Sequence, residues 1–398
     1  MRRPALLIPL VLFAAGAALN ATSPPRPAVD FGEWRAVVVH SDDWGFEGWF
    51  PTSMTDSLRE ALSADVPAWQ SAYLESTLES AAEVRELAEW FAGFRDLDGF
   101  PLVLQANTIV AGPSVRETGG MDPWPIHPSG SGPDYYRPDL DASVDRAIGM
   151  GVWWPELHGL THYDLTAYSR ARESGDVLAR AAARQGAFAY DGYRRDFELG
   201  DDDPARAREI AEESVRRFAG RFGRRPTSVI APDYRWGRED ESAWVSLGLR
   251  VVQAKREQVD PALAPHTLLG RVRKRVGRWW FARTGTLMAV ERTVDLEPYG
   301  DPDPDAPQGA RGAHRELEAA FERGEPGVLS IHRVQLVSRS TAIATAGRLQ
   351  LAELLGLLER SGGARFLVDA EVEQLSRRGW SVLSRGERTW WRNWTAHP

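Results

Sequence analysis

Short apolar runs recur along this chain, separated by stretches of helical periodicity, and run after run ends in polar residues. Ala36-Val37-Val38-Val39 leads into His40-Ser41-Asp42-Asp43-Trp44-Gly45. Pro101-Leu102-Val103-Leu104-Gln105-Ala106 ends at Asn107, and Gly151-Val152-Trp153-Trp154-Pro155 feeds His158-Gly159-Leu160-Thr161-His162. Thr227-Ser228-Val229-Ile230 runs into Ala231-Pro232-Asp233-Tyr234-Arg235-Trp236, and Gly327-Val328-Leu329-Ser330-Ile331 stops at His332. Such runs, bounded by polar and turn-forming residues, read as buried strands. Between them, apolar residues recur at threes and fours over 78–94, and 140–150, 163–183, 201–222 and 341–361 also read as helices. Strands alternating with helices imply a parallel sheet, open or closed into a barrel. A barrel brings the carboxyl ends of its strands to one face, where these five polar clusters would meet.

Composition narrows the chemistry. The 398 residues can hold one large α/β domain or two ordinary ones. A hydrophobic fraction of 43% and a charged fraction of 26% are those of a soluble globular protein. The net charge of −8 argues against a nucleic-acid partner and gives no electrostatic pull toward an anionic membrane. With no cysteine, disulfides, thiolate nucleophiles and cysteine-ligated zinc are excluded. Any metal must therefore be held by histidine and carboxylate. All basic residues except Lys255 and Lys274 are arginine, which we read as genome base composition. Sixteen tryptophans exceed what a core needs and leave some for flat apolar surfaces in a groove.

Arg2 and Arg3, the apolar run Ala5–Leu19 and the small residues through Ala21 read as an export signal. Residues 1–21 are thus expected to be a signal peptide or an uncleaved anchor, 22–33 a linker and 34–398 the catalytic domain. The protein is expected to be periplasmic or extracellular, touching membrane only through such an anchor. The Gly/Pro/Ser/Asp-rich stretch 112–140 is a long loop of the kind that is functional or disordered. Residues 256–312 are irregular, with β-like pieces at 278–282 and 286–294, and the tail 379–394 reads as a hairpin packed on the body.

Two adjacent carboxylates, Asp42 and Asp43, are hard to keep ionised without a cation beside them, although Asp also favours turns and helix N-caps. His158 and His162 are four apart, which on a helical turn places both imidazoles on one face. A pair of hydrogen-bonded surface histidines would look the same. With Asp43 as third ligand, two histidines and one carboxylate make a set with positions open to water, as catalytic Zn²⁺ requires. Asp42 is then placed to act as base and His332 as acid; a buried core histidine is the alternative for His332.

SDDWG, HGLTH, APDYRW and SIH, in that order, resemble the motifs of the polysaccharide deacetylases, the NodB-homology or carbohydrate esterase 4 family. The stretch Glu291-Arg292-Thr293-Val294-Asp295-Leu296-Glu297-Pro298 resembles a less-studied bacterial subgroup of it. The resemblance, spanning roughly 34–370, implies an α/β fold: a distorted (β/α) barrel, here with long loop insertions. It implies removal of N- or O-linked acetyl groups from a glycan, with Asp42 the catalytic base, His332 the acid and Asp43, His158 and His162 the metal ligands. The backbone N–H of Tyr234 would help hold the oxyanion. Two features depart from the family pattern. Ala231 stands where an arginine usually steadies the catalytic Asp, a role Arg235 could take over. The Asp- and Trp-containing fourth motif is missing near Gln253-Ala254-Lys255-Arg256-Glu257.

The resulting expectation is an exported hydrolase of acetylated glycans using Zn²⁺, or another divalent ion such as Co²⁺ or Ni²⁺. Water on the metal attacks the acetyl carbonyl, Asp42 takes its proton and His332 protonates the leaving group. Asn107, Arg235, Trp44 and Trp236, with Trp49 and Trp124, are expected to line the substrate groove. The alternatives are a catalytically impaired glycan-binding protein of the same fold and a metal-dependent hydrolase of another bond.

Overall fold

A computed structural model describes residues 29–393, apart from 47, 51–53, 65–67, 114–120, 124–136, 163–176, 185–203, 256–286 and 386–387. The export signal, the linker as far as residue 28, Trp124 and the β-like piece at 278–282 lie outside the described residues.

The strands are β1 (Ala36–Trp44), β2 (Leu104–Thr108), β3 (Ala111–Pro113), β4 (Met121–Pro123), β5 (Trp153–Leu157), β6 (Ser228–Val229), β7 (Val251–Ala254), β8 (Met288–Glu291), β9 (Val294–Asp295), β10 (Gly327–His332), β11 (Arg365–Leu367), β12 (Trp380–Arg385) and β13 (Arg388–Asn393). The main sheet runs β8-β7-β6-β5-β2-β1-β10-β9, and β11 pairs with the first residues of β1. Every pairing in it is parallel. The first and last strands of this path, β8 and β9, are separated in the chain only by Arg292-Thr293, so the sheet must curl until its two edges meet. Side chains report the same curvature. In a flat sheet β2 and β7 would lie roughly 14 Å apart, yet Asn107 and Gln253 hydrogen-bond at 2.8 Å. The architecture is thus a distorted (β/α) barrel whose irregularity is concentrated at the β8–β9 seam.

Helices pack outside. In Ala81–Ala92, Val84, Leu87, Ala88 and Phe91 form the buried stripe, spaced at threes and fours. Its start is fixed by a capping box: Ser80 Oγ accepts from the Glu83 N–H while the Glu83 carboxylate accepts from the Ser80 N–H. The tail is a hairpin, as its sequence suggests, with β12 antiparallel to β13. It is fastened by buried ion pairs, Arg385 to Glu371 and Arg392 to Asp96. No helix among the described residues is long and apolar enough to cross a membrane.

Candidate metal centre and active site

β1 is buried along all nine residues and continues through the acidic pair rather than ending before it. In a regular strand, Asp42 and Asp43 would point to opposite faces. Asp43 instead takes a left-handed conformation, φ 69°, and the β1–β2 register shifts between Ser41 and Trp44. A bulge of this kind re-aims a side chain, and Asp tolerates the left-handed region better than most residues.

His158 and His162 do not share a helical turn, as their spacing suggests. Residues 158–162 are a bent loop after β5, with Gly159 at φ 69° and His162 at φ 70°. Two left-handed residues fold the loop back, so both Nε2 atoms still reach Asp43 Oδ1, at 3.3 and 3.4 Å. One ligand atom from each of the three residues lies within 4.8 Å of the others, and all three are buried. Asp43 Oδ1 is buried without a hydrogen bond. His158 Nδ1 lies 3.2 Å from the Ile230 carbonyl. That contact occupies Nδ1 and turns Nε2 toward Asp43, the usual orientation of a metal-ligating imidazole. Burial pulls His162 down to about 3, against the pull of Asp43, and so keeps it neutral. For His158 burial is outweighed by its contact with Asp43, which raises it, so a cation bound there would displace the proton from Nε2. An orphaned buried carboxylate oxygen between two imidazole nitrogens suits a divalent cation. Phe46, tilted, and Trp49, edge-on, pack against His162 with ring centroids at 5.3 and 5.5 Å and cover that side.

Asp42 sits beside this cluster. Arg292, from the β8–β9 seam, grips it in a bidentate pair at 2.6 Å on each oxygen, and Asn107 Nδ2 donates to Oδ1 at 2.8 Å. Burial would raise the acid; the Arg292 charge more than offsets it and holds Asp42 well below the ordinary carboxylate range. His332 Nε2 lies 3.8 Å from Asp42 Oδ2. Its Nδ1 bonds the Glu297 carboxylate, with the Tyr73 hydroxyl 3.1 Å away. Burial alone would lower His332; Glu297, with help from Asp43 and Asp42, pushes it up to about 9.

Several expected site residues stand elsewhere or do other work. Trp44 and Trp236 are each only 1% exposed and cannot stack on a sugar. Trp44 packs edge-on against Trp153, and the Trp236 indole N–H donates to Glu241. Trp49 is likewise buried. Asn107 is fully buried on Asp42 and Gln253, so it orients the acid rather than meeting solvent. Arg292, not Arg235, is the guanidinium on Asp42. The Tyr234 backbone N–H is spent on the Ala231 carbonyl at 3.0 Å, closing a 3₁₀ turn, so in this conformation it is not offered to an oxyanion. The Tyr234 hydroxyl accepts from Arg292 instead, at 2.8 Å. Arg292 and Glu297 belong to the site although no expected motif residue points to them. Their available signal was two charges set among the apolar Val290, Val294 and Leu296, within the 291–298 stretch that carries part of the resemblance.

No family model matches the chain, and no curated protein matches it. Solved structures do. A protein from Pseudomonas aeruginosa PAO1 described as a probable polysaccharide deacetylase is 13% identical, with a TM-score of 0.45, covering 89% of this chain and 95% of that one. The Puue allantoinase is 13% identical, with a TM-score of 0.45, over 88% of this chain and 93% of that one. A family 4 acetyl xylan esterase from Clostridium thermocellum, solved in complex with a cobalt ion, is 10% identical, with a TM-score of 0.35, over 85% and 91%.

Proposed function

We propose that this protein is an exported, metal-dependent hydrolase that removes N- or O-linked acetyl groups from a carbohydrate. The observation that carries the reading is the Asp43 carboxylate, buried and unsatisfied between the Nε2 atoms of His158 and His162, with Asp42 and His332 beside it. Asp43, His158 and His162 would hold Zn²⁺ or a similar divalent ion. Such an ion supplies a Lewis-acid contact for the acyl oxygen and a water that loses a proton near neutral pH. Asp42, kept ionised and fixed in orientation by Arg292 and Asn107, is the carboxylate beside the centre that would take up a proton there. His332, protonated through its pairing with Glu297 at Nδ1, leaves Nε2 on the Asp42 side, where it would give up its proton to a leaving amine or alcohol. Phe46 and Trp49 keep bulk water from the His162 side of the centre.

Two features leave room for a catalytically impaired glycan binder: Ala231 in place of an arginine, and the missing fourth motif. Arg292 puts a guanidinium on Asp42 where Ala231 cannot, and Glu297 puts a carboxylate on His332, which supports catalysis over binding alone. Elemental analysis of the purified protein, followed by acetate-release assays on a panel of acetylated glycans with and without chelator, tests the proposal. About one divalent ion per chain and chelator-sensitive acetate release are expected. A metal-loaded protein that releases no acetate from any of them would overturn it.

A further inference from the structure

Beside Asp42 and below it, toward the amino ends of the strands, the barrel interior carries a cluster of polar side chains. His40, Gln105, Asn107, Ser228, Gln253 and Asp369 are all fully buried. Barrel interiors are ordinarily packed with branched apolar residues, and each buried polar group without a partner costs stability. These groups have partners, and the chemistry at each end leaves one assignment of donors and acceptors.

Arg292 uses all five of its N–H groups. Nη1 and Nη2 hold the two oxygens of Asp42; Nη1 also reaches the Tyr234 hydroxyl at 2.8 Å and Nη2 the Gln253 amide oxygen at 2.8 Å. The fifth, Nε–H, donates to His40 Nδ1 at 3.3 Å. His40 can accept there only if its own proton is on Nε2, and Nε2 lies 2.8 Å from Asp369 Oδ1. Gln105 fixes the other side of Asp369: its Oε1 accepts from the Asp369 backbone N–H at 2.9 Å, so its Nε2 must donate to Asp369 Oδ2, at 2.7 Å. Each hydrogen bond from Gln105 through Asp369, His40 and Arg292 to Asp42 therefore has a single donor and acceptor assignment, with Asp369 accepting on both sides and Arg292 donating on both.

We infer that Asp369 and His40 are positioning residues for the reaction. Asp369 sets the tautomer of His40, and His40 in that tautomer fixes the plane of the Arg292 guanidinium that presents Asp42 to the metal centre. The role as a catalytic device rests on the hydrolase reading above; the tautomer assignment does not.

Asp369→Asn is the informative substitution. Gln105 is pinned by the backbone, so the new amide must turn its oxygen to Gln105 and its NH₂ to His40 Nε2. His40 then carries its proton on Nδ1, facing the Arg292 Nε–H donor to donor. The expected result is a kcat lowered on the order of 100-fold, as for a misplaced catalytic group, with KM and metal content unchanged. The nitrogen chemical shifts of His40 should move from the Nε2–H to the Nδ1–H pattern. His40→Leu, which removes the acceptor, should lose a similar factor. His40→Asn, whose Oδ1 can stand near the Nδ1 position, should keep kcat close to the parent, and adding Asp369→Asn to it should change little, because no tautomer is left to set. A folded, metal-loaded Asp369→Asn protein with parental kcat overturns the inference, as does a parent whose His40 carries its proton on Nδ1. An undiminished Asp369→Asn effect in the His40→Asn background also overturns it, since that would mark plain structural damage. If Asp369→Asn does not fold, the contrast between His40→Leu and His40→Asn decides. A parent that releases no acetate sinks the hydrolase reading instead, and the His40 shifts still decide the tautomer.

Discussion

Asp42 and His332 divide proton transfer between them because their partners differ in sign. Arg292 lies on one and Glu297 on the other, so the first stays an anion and the second stays a cation. Asp42→Asn keeps the shape and the Asn107 and Arg292 contacts in part but cannot take a proton. It should lower kcat by about 10²- to 10⁴-fold while metal content stays at the parental level. Full activity in that variant would remove Asp42 from the mechanism. For His332 the sign runs the other way. An acid must be protonated to act, so the parent should lose activity as pH rises through about 9, where burial and the opposing pull of Glu297 place its pKa. Glu297→Gln removes the group that raises it, so the alkaline limb of the kcat profile should move to lower pH. An unmoved limb would show that another group sets it. Both residues were legible in the sequence because each ends a short apolar run. Arg292 and Glu297 were not assigned roles, because their work depends on two sheet edges meeting, and no local pattern records that.

At the scale of elements, the bulge in β1 and the bent loop after β5 deliver the ligands, and only the first was half visible. Spacing of four suggested a helical turn for His158 and His162, but Gly159 and His162 at positive φ make a loop that reaches the same atom. Backbone handedness at a histidine is set by tertiary contacts and leaves no periodic signal. The tail hairpin was easier, since two β-prone segments flank a short turn. Its attachment is electrostatic. Arg392, almost fully buried, contacts Asp96 at 2.8 Å and Asp98 at 3.0 Å, with Glu371 at 3.5 Å. Removing one partner of a buried pair strands the others, so Arg392→Met should destabilise the fold by about 3–5 kcal/mol in denaturant unfolding. Metal content should not change, because the hairpin is tied to β11, which pairs with the opening residues of β1, at the far end of the barrel from Asp43. A loss below about 1 kcal/mol would mean that the hairpin is held by its apolar contacts instead.

Over the whole molecule, the alternation of strands and helices was enough to expect a parallel barrel, because each strand needs a crossover and each crossover a helix. The seam between β8 and β9 was not foreseeable, since a two-residue link between unpaired strands looks in sequence like one continuous β segment, as 286–294 did. The candidate metal centre ties distant parts of this barrel together. Asp43 belongs to β1, whereas His158 and His162 belong to the loop after β5, two strands away in the sheet. An ion bound there links them only in the folded state, and anything that binds the folded state alone stabilises it by mass action. At a free metal concentration of 100 times Kd, the gain should be about 2.7 kcal/mol. For a chain of this length that is an upward shift of a few degrees in Tm, given that unfolding entropy grows with chain length. The metal-stripped protein should therefore melt lower than the same protein with Zn²⁺ restored. Asp43→Ala should melt at one temperature in both conditions, because the two imidazoles alone no longer make a tight site. Should restored Zn²⁺ leave the parental Tm where the chelated protein has it, Asp43, His158 and His162 do not grip a cation, and the hydrolase built around them falls with it.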